Sequence, residues 1–551
     1  MAAETFQMAR IQDDCGVWIM GLSKSIGVCS VLETEFSGVL RVRRWQFSVE
    51  LDNSYSDLKC SRRIVKLLDR GCHGRCLFDM FSVSAIRIST ILTIITLFTS
   101  VYLFLSTVKR GSEPFSWTKP ETGFQGDLRD AKFPWNSLCF GNNFDKLKLA
   151  VFSKTWPIGA APGGMERHAA TLYHALAAKG HEIHVFTVPS DRKPHLDIHE
   201  GNLHVYFAAN DHGSVNCSLA FEIFNNINAN GPFDYVHTES VSLPHWRAKM
   251  VPKVAVTWHG IWYEIMHSKL FEELVFNSQE KTPRPVGELH EAMPRLVDEI
   301  RFFPSYTQHI CISKSAGEVL VNIYQIPQRN VHVILNGVDK TKFVHDPESG
   351  ARFRRKHGIP KNVSVVMGVA GRLVRDKGHP LLYEAFSKIS KTHTGVYLLV
   401  AGSGPWGKRY AELGSNVKVL GALEPSKLSE FYNAIDVFVN PTLRPQGLDL
   451  TLMEAMHCGK PVLTPNYPSI VGTVVVNQSF GYTFSPNVES FVDALKSVIK
   501  DGPKVLQNKG IACRKHALSM FTASKMADAY ERFFLCMKNP RFCQYPLPTD
   551  C

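Results

Sequence analysis

No sustained lysine/arginine block, no zinc-finger spacing and no aromatic RNA-binding motif occurs in this chain of 551 residues, so its formal net charge of +12 is not read as a nucleic-acid surface. The positive balance suits an anionic ligand or an anionic membrane surface instead. Thirteen cysteines are too few for a dense disulfide framework at this length. The pair Cys72 and Cys76 in CHGRC has no second ligand pair at zinc-finger spacing, so no metal is assigned to it; free or lipidated cysteines beside a membrane are the plainer account. An Asp-x-Asp metal motif and any internal repeat are also missing. What remains is 44% hydrophobic, enough for two or three domains that each bury a core.

One run stands apart. Residues 88–108, ISTILTIITLFTSVYLFLSTV, carry no charge, and a bilayer needs roughly 20 apolar residues to span. They read as a single transmembrane anchor; a buried core helix or an uncleaved signal region is the competing account. A cleavable signal peptide fits poorly, because the run starts far from Met1 and ends in Lys109-Arg110. Basic residues before the run slightly outnumber those after it, which places residues 1–87 on the cytosolic side. Those residues show no sustained period and receive no structure or function. Residues 109–145, rich in Gly, Pro, Trp and charge, read as a stem. Asn216-Cys-Ser, Asn362-Val-Ser and Asn477-Gln-Ser are candidate glycosylation acceptors in a lumenal domain. Cys536, Cys543 and Cys551, in a tail of residues 535–551, would pair among themselves or with Cys513 in an oxidising compartment.

After the stem the pattern becomes α/β. KLAVF at 148–152 is followed by a Gly/Pro loop, a helical period over 165–178 and a strand over 183–188. Further buried strands, at 253–258, 309–313 and 331–335 among others, imply a parallel sheet. A second run starts at 364 with VSVVMGVAGRLV, GVYLLVAGSG, NVKVLGAL, AIDVFVNPT, KPVLTP and GYTFSP. The two runs read as two Rossmann-like domains, 146–345 and 346–534, the second including a C-terminal helix that crosses back. Sheets of this kind bind ligands beyond the carboxyl ends of their strands, so two facing sheets would enclose a cleft.

In chain order the motifs are GGMERH, TWHG, ISKS, LNGVD, GRLVRDKG, VAGSGP and RPQGLDLTLMEAMHCGKP. Each is weak alone. Together, over residues 146–534, the chain resembles the family-4 retaining glycosyltransferases of the GT-B fold. The resemblance implies that Gly163 and Gly164 meet the donor phosphate or the acceptor at a helix N-terminus, which favours negative charge by ~0.3–1 kcal/mol. It assigns Arg372 and Lys377 to the donor diphosphate, where cations stabilise the charge that gathers on the leaving group. It brings Gly402 and Gly404 close to the nucleotide, His259 near the transferred sugar, and Glu454 to the donor ribose. Read singly, the glycines are tight turns, His259 is structural and the charged groups are surface residues. Arg375 is expected at the surface, and Asp376 and Glu239 are expected to be solvent-facing or turn residues.

Gln446 departs from the family, which usually carries a second glutamate there. An amide binds sugar hydroxyls but cannot act as nucleophile or base. The resemblance then implies front-face retention, in which the leaving diphosphate accepts the acceptor's proton. Asp449 is too far round the helix to substitute and suits the helix N-terminus. The chain is thus expected to be a type II, single-pass glycosyltransferase of the Golgi or endoplasmic reticulum, with a nucleotide-sugar donor, a glycan, lipid or protein acceptor, and no cofactor or obligatory metal. The competing account is an inactive nucleotide-sugar-binding or scaffolding protein of the same fold. A phosphorylase-like enzyme would need a cofactor-binding lysine motif, which is not found.

Overall fold

Runs of branched and aromatic residues buried on both faces form the two central sheets of the chain. The computed structural model describes strands at 6–12, 18–24, 30–34 and 40–44, and residues 123–141, 145–159, 162–276 and 287–551. The chain divides into two compact units, Met1–Gly111 and Ser112–Cys551. In the first, Phe6–Gln12 (β1) pairs antiparallel with Trp18–Lys24 (β2), and Ser30–Thr34 (β3) with Leu40–Arg44 (β4). These strands are too short for a sustained period to register in the sequence. The expected anchor at 88–108 and the cysteines at 72 and 76 lie outside the described residues. Among the described residues no helix is long and apolar enough to cross a membrane.

In the second unit a two-residue strand, Gly126–Asp127 (β5), precedes an eight-stranded sheet. It comprises Lys148–Phe152 (β6), Glu182–Thr187 (β7), Ile198–Glu200 (β8), Leu203–Phe207 (β9), Tyr235–Glu239 (β10), Val254–Trp258 (β11), Gln308–Cys311 (β12) and Val331–Val333 (β13). The order is β13-β12-β11-β10-β6-β7-β9-β8, parallel except for β8 at the edge. The other sheet comprises Val365–Ala370 (β14), Val396–Ala401 (β15), Val417–Gly421 (β16), Val437–Val439 (β17), Val462–Pro465 (β18) and Gly481–Phe484 (β19). It is wholly parallel in the order β16-β15-β14-β17-β18-β19. Each sheet reverses direction once, between β6 and β10 and between β14 and β17. Loops diverge at such switch points and leave a crevice, so ligand sites belong there.

Helix α1, Gly164–Ala178, follows β6 and buries Ala169, Leu172, Tyr173 and Leu176, one helical face. The chain ends by crossing back to this first half. Helix α2, Val488–Met520, is interrupted at Gly502 and Pro503, and α3, Ala523–Lys538, packs Met526, Tyr530, Phe533 and Phe534 into one core with Leu149, Leu172 and Tyr235. Burying each of these phenylalanines contributes about 1.5–3 kcal/mol.

Part of the segment read as a stem, and the cysteine-containing tail, belong to this body. Residues 123–141 bury Leu128, Trp135 and Leu138 in the same core. The Asn136 amide donates to the Leu335 carbonyl, and its oxygen accepts from the Leu335 N–H at 2.7 Å. The tail adds strand Gln544–Tyr545 (β20) to β5, and Arg532 pairs with Asp550, both side chains fully buried. Disulfides Cys139–Cys551 and Cys536–Cys543 close the region, while Cys513 is free and buried. The partners of Cys551 and Leu138 are hundreds of residues apart in sequence, and local composition carries no sign of such pairing.

The core also holds several neutral histidines. Burial pushes His168, His309 and His332 down to about 3, and His237 and His379 to about 4, from 6.5. The unfolded chain therefore binds the extra protons between pH 6.5 and those values, so stability is full above 6.5 and is lost as pH falls. The melting temperature is expected to drop continuously from about pH 6.5 to about pH 4.5. A flat profile over that window would contradict the burial of these rings.

Candidate active site

Loops from the carboxyl ends of β6, β11, β14, β15 and β17 converge on a cleft of about 430 Å³. Two glycines with positive φ make the wall possible. At Gly402 (φ 136°) an added Cβ would lie 1.8 Å from the Gly371 carbonyl oxygen, so the loops after β14 and β15 meet backbone to backbone. At Gly378 (φ 72°) it would lie 1.8 Å from the Pro441 oxygen, locking the β14 loop onto the segment after β17. Opposite, Gly163 caps α1 and Gly164 starts it; a Cβ on Gly164 would meet nothing within 4 Å, leaving that helix end open to the cleft. Backbone N–H groups of a helix start, unpaired within the helix, suit an anion there. Gly404 braces Leu373 from behind and does not line the cleft.

Four cations line the cleft: Arg167, Arg372, Lys377 and Arg444. Arg372 is the most open, with its side chain 68% exposed and its neighbour Asp376 at 4.0 Å. The Lys377 ammonium instead donates to Asp449 Oδ1 at 2.6 Å, and Asn440 donates to the other oxygen at 3.1 Å. Burial opposes ionisation of Asp449, but Lys377 by charge and hydrogen bond, with Arg444, holds its carboxyl below the usual range. Asp449 stands at the N-cap of the helix Leu450–His457, which follows β17, without a side-chain capping bond; its carboxylate is used on Lys377. Arg444 donates to Glu264 Oε2 at 2.8 Å, a link from the second sheet's loops to helix Trp262–Phe276 of the first half. Arg375 reaches Glu272 at 3.3 Å and is largely exposed, while Asp376 lies in a short turn over Arg375–Lys377.

His259 follows β11 and lines the cleft with a side chain only 12% exposed. Its Nε2 donates to Glu239 Oε2 at 2.6 Å. Glu239, expected at the surface, is fully buried. It ends β10, where the adjoining turn looks polar in sequence, but α1 and β11 close over it and supply its partners. The Tyr173 hydroxyl donates to its other oxygen, and His168 Nε2 lies 3.9 Å from it. Burial works to raise this carboxyl, yet the hydrogen bonds it accepts from His259 and Tyr173 outweigh it, and Glu239 stays ionised below the usual range.

The donors behind this carboxylate fall into one order. Because Tyr173 gives its proton to Glu239, it accepts from His237 Nδ1 at 2.8 Å. A neutral His237 then accepts at Nε2 from Thr257 Oγ1 at 2.9 Å, and Thr257 accepts from the Tyr530 hydroxyl of α3 at 2.8 Å. In the same way Glu239 sets the His259 tautomer: the proton sits on Nε2, and Nδ1 keeps the lone pair in the neutral ring.

Glu454 and Gln446, expected to touch the donor, sit behind the wall. Glu454 is 2% exposed; its Oε1 is bound by Arg167, which does line the cleft, and its Oε2 accepts from Tyr432 at 2.7 Å. Gln446 is 7% exposed, and its amide is 3.2 Å from His267 Nδ1 on the first half. Its backbone carbonyl accepts from the Ser313 hydroxyl at 2.6 Å. Arg167, Arg444 and Glu239 were missed from sequence. Only Arg167 carried a usable signal, standing one turn inside α1 after the Gly163-Gly164 pair.

Two family profiles match in chain order: Glycosyltransferase Family 4 over residues 162–342 and Glycosyl transferases group 1 over 351–515. Glycogen synthase of Mycobacterium tuberculosis is 24% identical over 411 residues, 68% of this chain and 92% of that protein. An uncharacterized glycosyltransferase of Methanocaldococcus jannaschii is 24% identical over 367 residues, 64% and 90% of the respective chains. Among solved structures, sucrose-phosphate synthase from Thermosynechococcus elongatus aligns with a TM-score of 0.57 at 19% identity, over 71% of this chain and 99% of that one. A glycosyltransferase from Rickettsia africae aligns at 0.54 and 18%, over 72% and 100%. The two profiles fall one on each sheet, on either side of the cleft, and the chain belongs to the family-4 glycosyltransferases of the GT-B fold.

Proposed function

We propose that this glycosyltransferase moves a sugar from a nucleotide-diphosphate donor to its acceptor with retention of configuration, by front-face displacement. The observation that carries this reading is the convergence of Arg372, Lys377 and the open start of α1 on one cleft. As the bond from the anomeric carbon to the diphosphate oxygen breaks, charge gathers on the leaving group, and pre-placed cations stabilise it more than the ground state. The acceptor oxygen bonds to the same face of the sugar and its proton passes to the leaving phosphate oxygen. No enzymic nucleophile is required, and Gln446 could not supply one. His259, oriented by Glu239, is suited to hold a sugar or acceptor hydroxyl. Glu454 reaches the donor ribose in this scheme by exchanging Arg167 for it, freeing a further cation for the phosphates.

The body is proposed to stand in the lumen of the Golgi or endoplasmic reticulum on the apolar run at 88–108. Two disulfides within the fold suit an oxidising compartment. The acceptor is a glycan, lipid or protein.

The test is turnover by the full chain in detergent with excess chelator. Because HepE of Anabaena has been solved with UDP-glucose and starch synthase IV of Arabidopsis thaliana with ADP and acarbose, UDP and ADP sugars belong in the donor set beside GDP sugars. Transfer or hydrolysis with retention, read by NMR, is expected. Nucleotide binding without turnover of any donor would instead support an inactive binding protein, a reading favoured by the departure at Gln446 alone. Gln446→Glu separates the two: it is expected to add no activity, since this side chain faces His267 behind the wall. A large gain would mean a decayed enzyme.

A further inference from the structure

The outer edge of the first sheet carries a cluster remote from the cleft lining. Register pairs His184 of β7 directly with His204 of β9, and His204 with His199 of β8. Directly paired residues share a sheet face, so three imidazoles line up across three neighbouring strands. Glu182, two residues before His184, is on that face as well. Ring centroids are 4.8 Å apart for His184 and His204, and 5.3 Å for His199 and His204. The Glu182 carboxylate lies 2.7 Å from His184 Nε2, and the two Nδ1 atoms of His199 and His204 are 3.0 Å apart.

We propose that Glu182, His184 and His204, with His199 as a fourth donor within reach, bind a divalent transition-metal cation of the zinc class. One donor atom from each of the first three lies within 4.8 Å of the others. Small side-chain rotations would bring them to the roughly 2.0–2.2 Å ligand distances of a tetrahedral site. A further feature suits a metal. The Tyr206 hydroxyl is 3.2 Å from His184 Nδ1, the kind of outer bond that orients a ligating ring and leaves Nε2 for the ion. Lys148, 3.3 Å from Glu182, competes for the carboxylate and gives way when an ion takes it. The site would clip the β8–β9 edge to β7 and is separate from the transfer reaction.

The experiment uses the full chain without a histidine tag, stripped by chelator and then dialysed against Zn²⁺ or Co²⁺, with bound metal measured directly. One equivalent is expected, with a tetrahedral Co²⁺ absorption band and a raised melting temperature. His204→Gln should remove that equivalent, Tyr206→Phe should weaken it by roughly tenfold or more, and His259→Gln in the cleft should leave it unchanged. Should His204→Gln fail to fold, Glu182→Gln serves, since that side chain is 45% exposed. No bound metal in the unsubstituted chain, or undiminished binding in the folded His204→Gln or Glu182→Gln variant, overturns the proposal.

Discussion

Lys377→Ala is expected to lower kcat/KM by roughly 10²- to 10³-fold, about 2.7–4 kcal/mol, the usual effect of removing a preorganised group from developing charge. The loss should fall mainly on kcat, because the charge it meets grows as the diphosphate leaves. The substitution also leaves the part-buried Asp449 carboxylate without its 2.6 Å partner, and losing such a charged hydrogen bond costs about 1–3 kcal/mol of stability. The two effects separate in the pair Lys377→Ala, Asp449→Asn. If Lys377 acts on the donor, the pair regains melting temperature but not kcat. Recovery of kcat in the pair would reduce Lys377 to a support for Asp449. Arg372→Ala should lose less, since a side chain 68% exposed works against solvent screening.

Glu239→Gln is expected to cost roughly 10² in kcat, the usual effect of displacing one preorganised hydrogen-bonding group. Both oxygens of Glu239 accept, from His259 and Tyr173, whereas an amide offers one acceptor and one donor group. Either the His259 tautomer inverts or the Tyr173 bond is lost, and in both cases the ring is no longer held for its task. The pH dependence of kcat should shift with it, a change that mere loosening of the core would not produce. Glu239→Ala should in addition lower the melting temperature, because the His259 and Tyr173 donors lose their acceptor at about 1–3 kcal/mol each. Glu239→Gln with unchanged kcat and an unchanged pH profile would make the carboxylate a packing element only.

The difference between Lys377 and Glu239 shows where sequence reading succeeds. Lys377 lies in a short motif between a strand and a helix, and that local turn carries it to the cleft even though its ion-pair partner Asp449 is 72 residues away. Glu239 gains its meaning from Tyr173, 66 residues away, and from His259, 20 residues away on the next strand. Likewise Arg167 meets Glu454 across 287 residues, and Arg444 meets Glu264 across 180. These pairs join the two halves of the cleft. No local period encodes them, and a carboxylate looks equally polar whether it ends up in water or under a helix. Gln446 is the converse: its place in the motif pointed toward the donor, while packing turned its amide to His267.

By itself the sequence determined the α/β architecture, the two successive sheets and the strand-to-helix turns at Gly163 and Arg372, because hydrophobic period and turn chemistry are local properties. Tertiary structure alone decided which charged groups face the cleft, which lie paired behind it, and that the tail and residues 123–141 complete the core. Those outcomes depend on contacts between distant segments, where burial and a fixed partner set the state of each ionisable group.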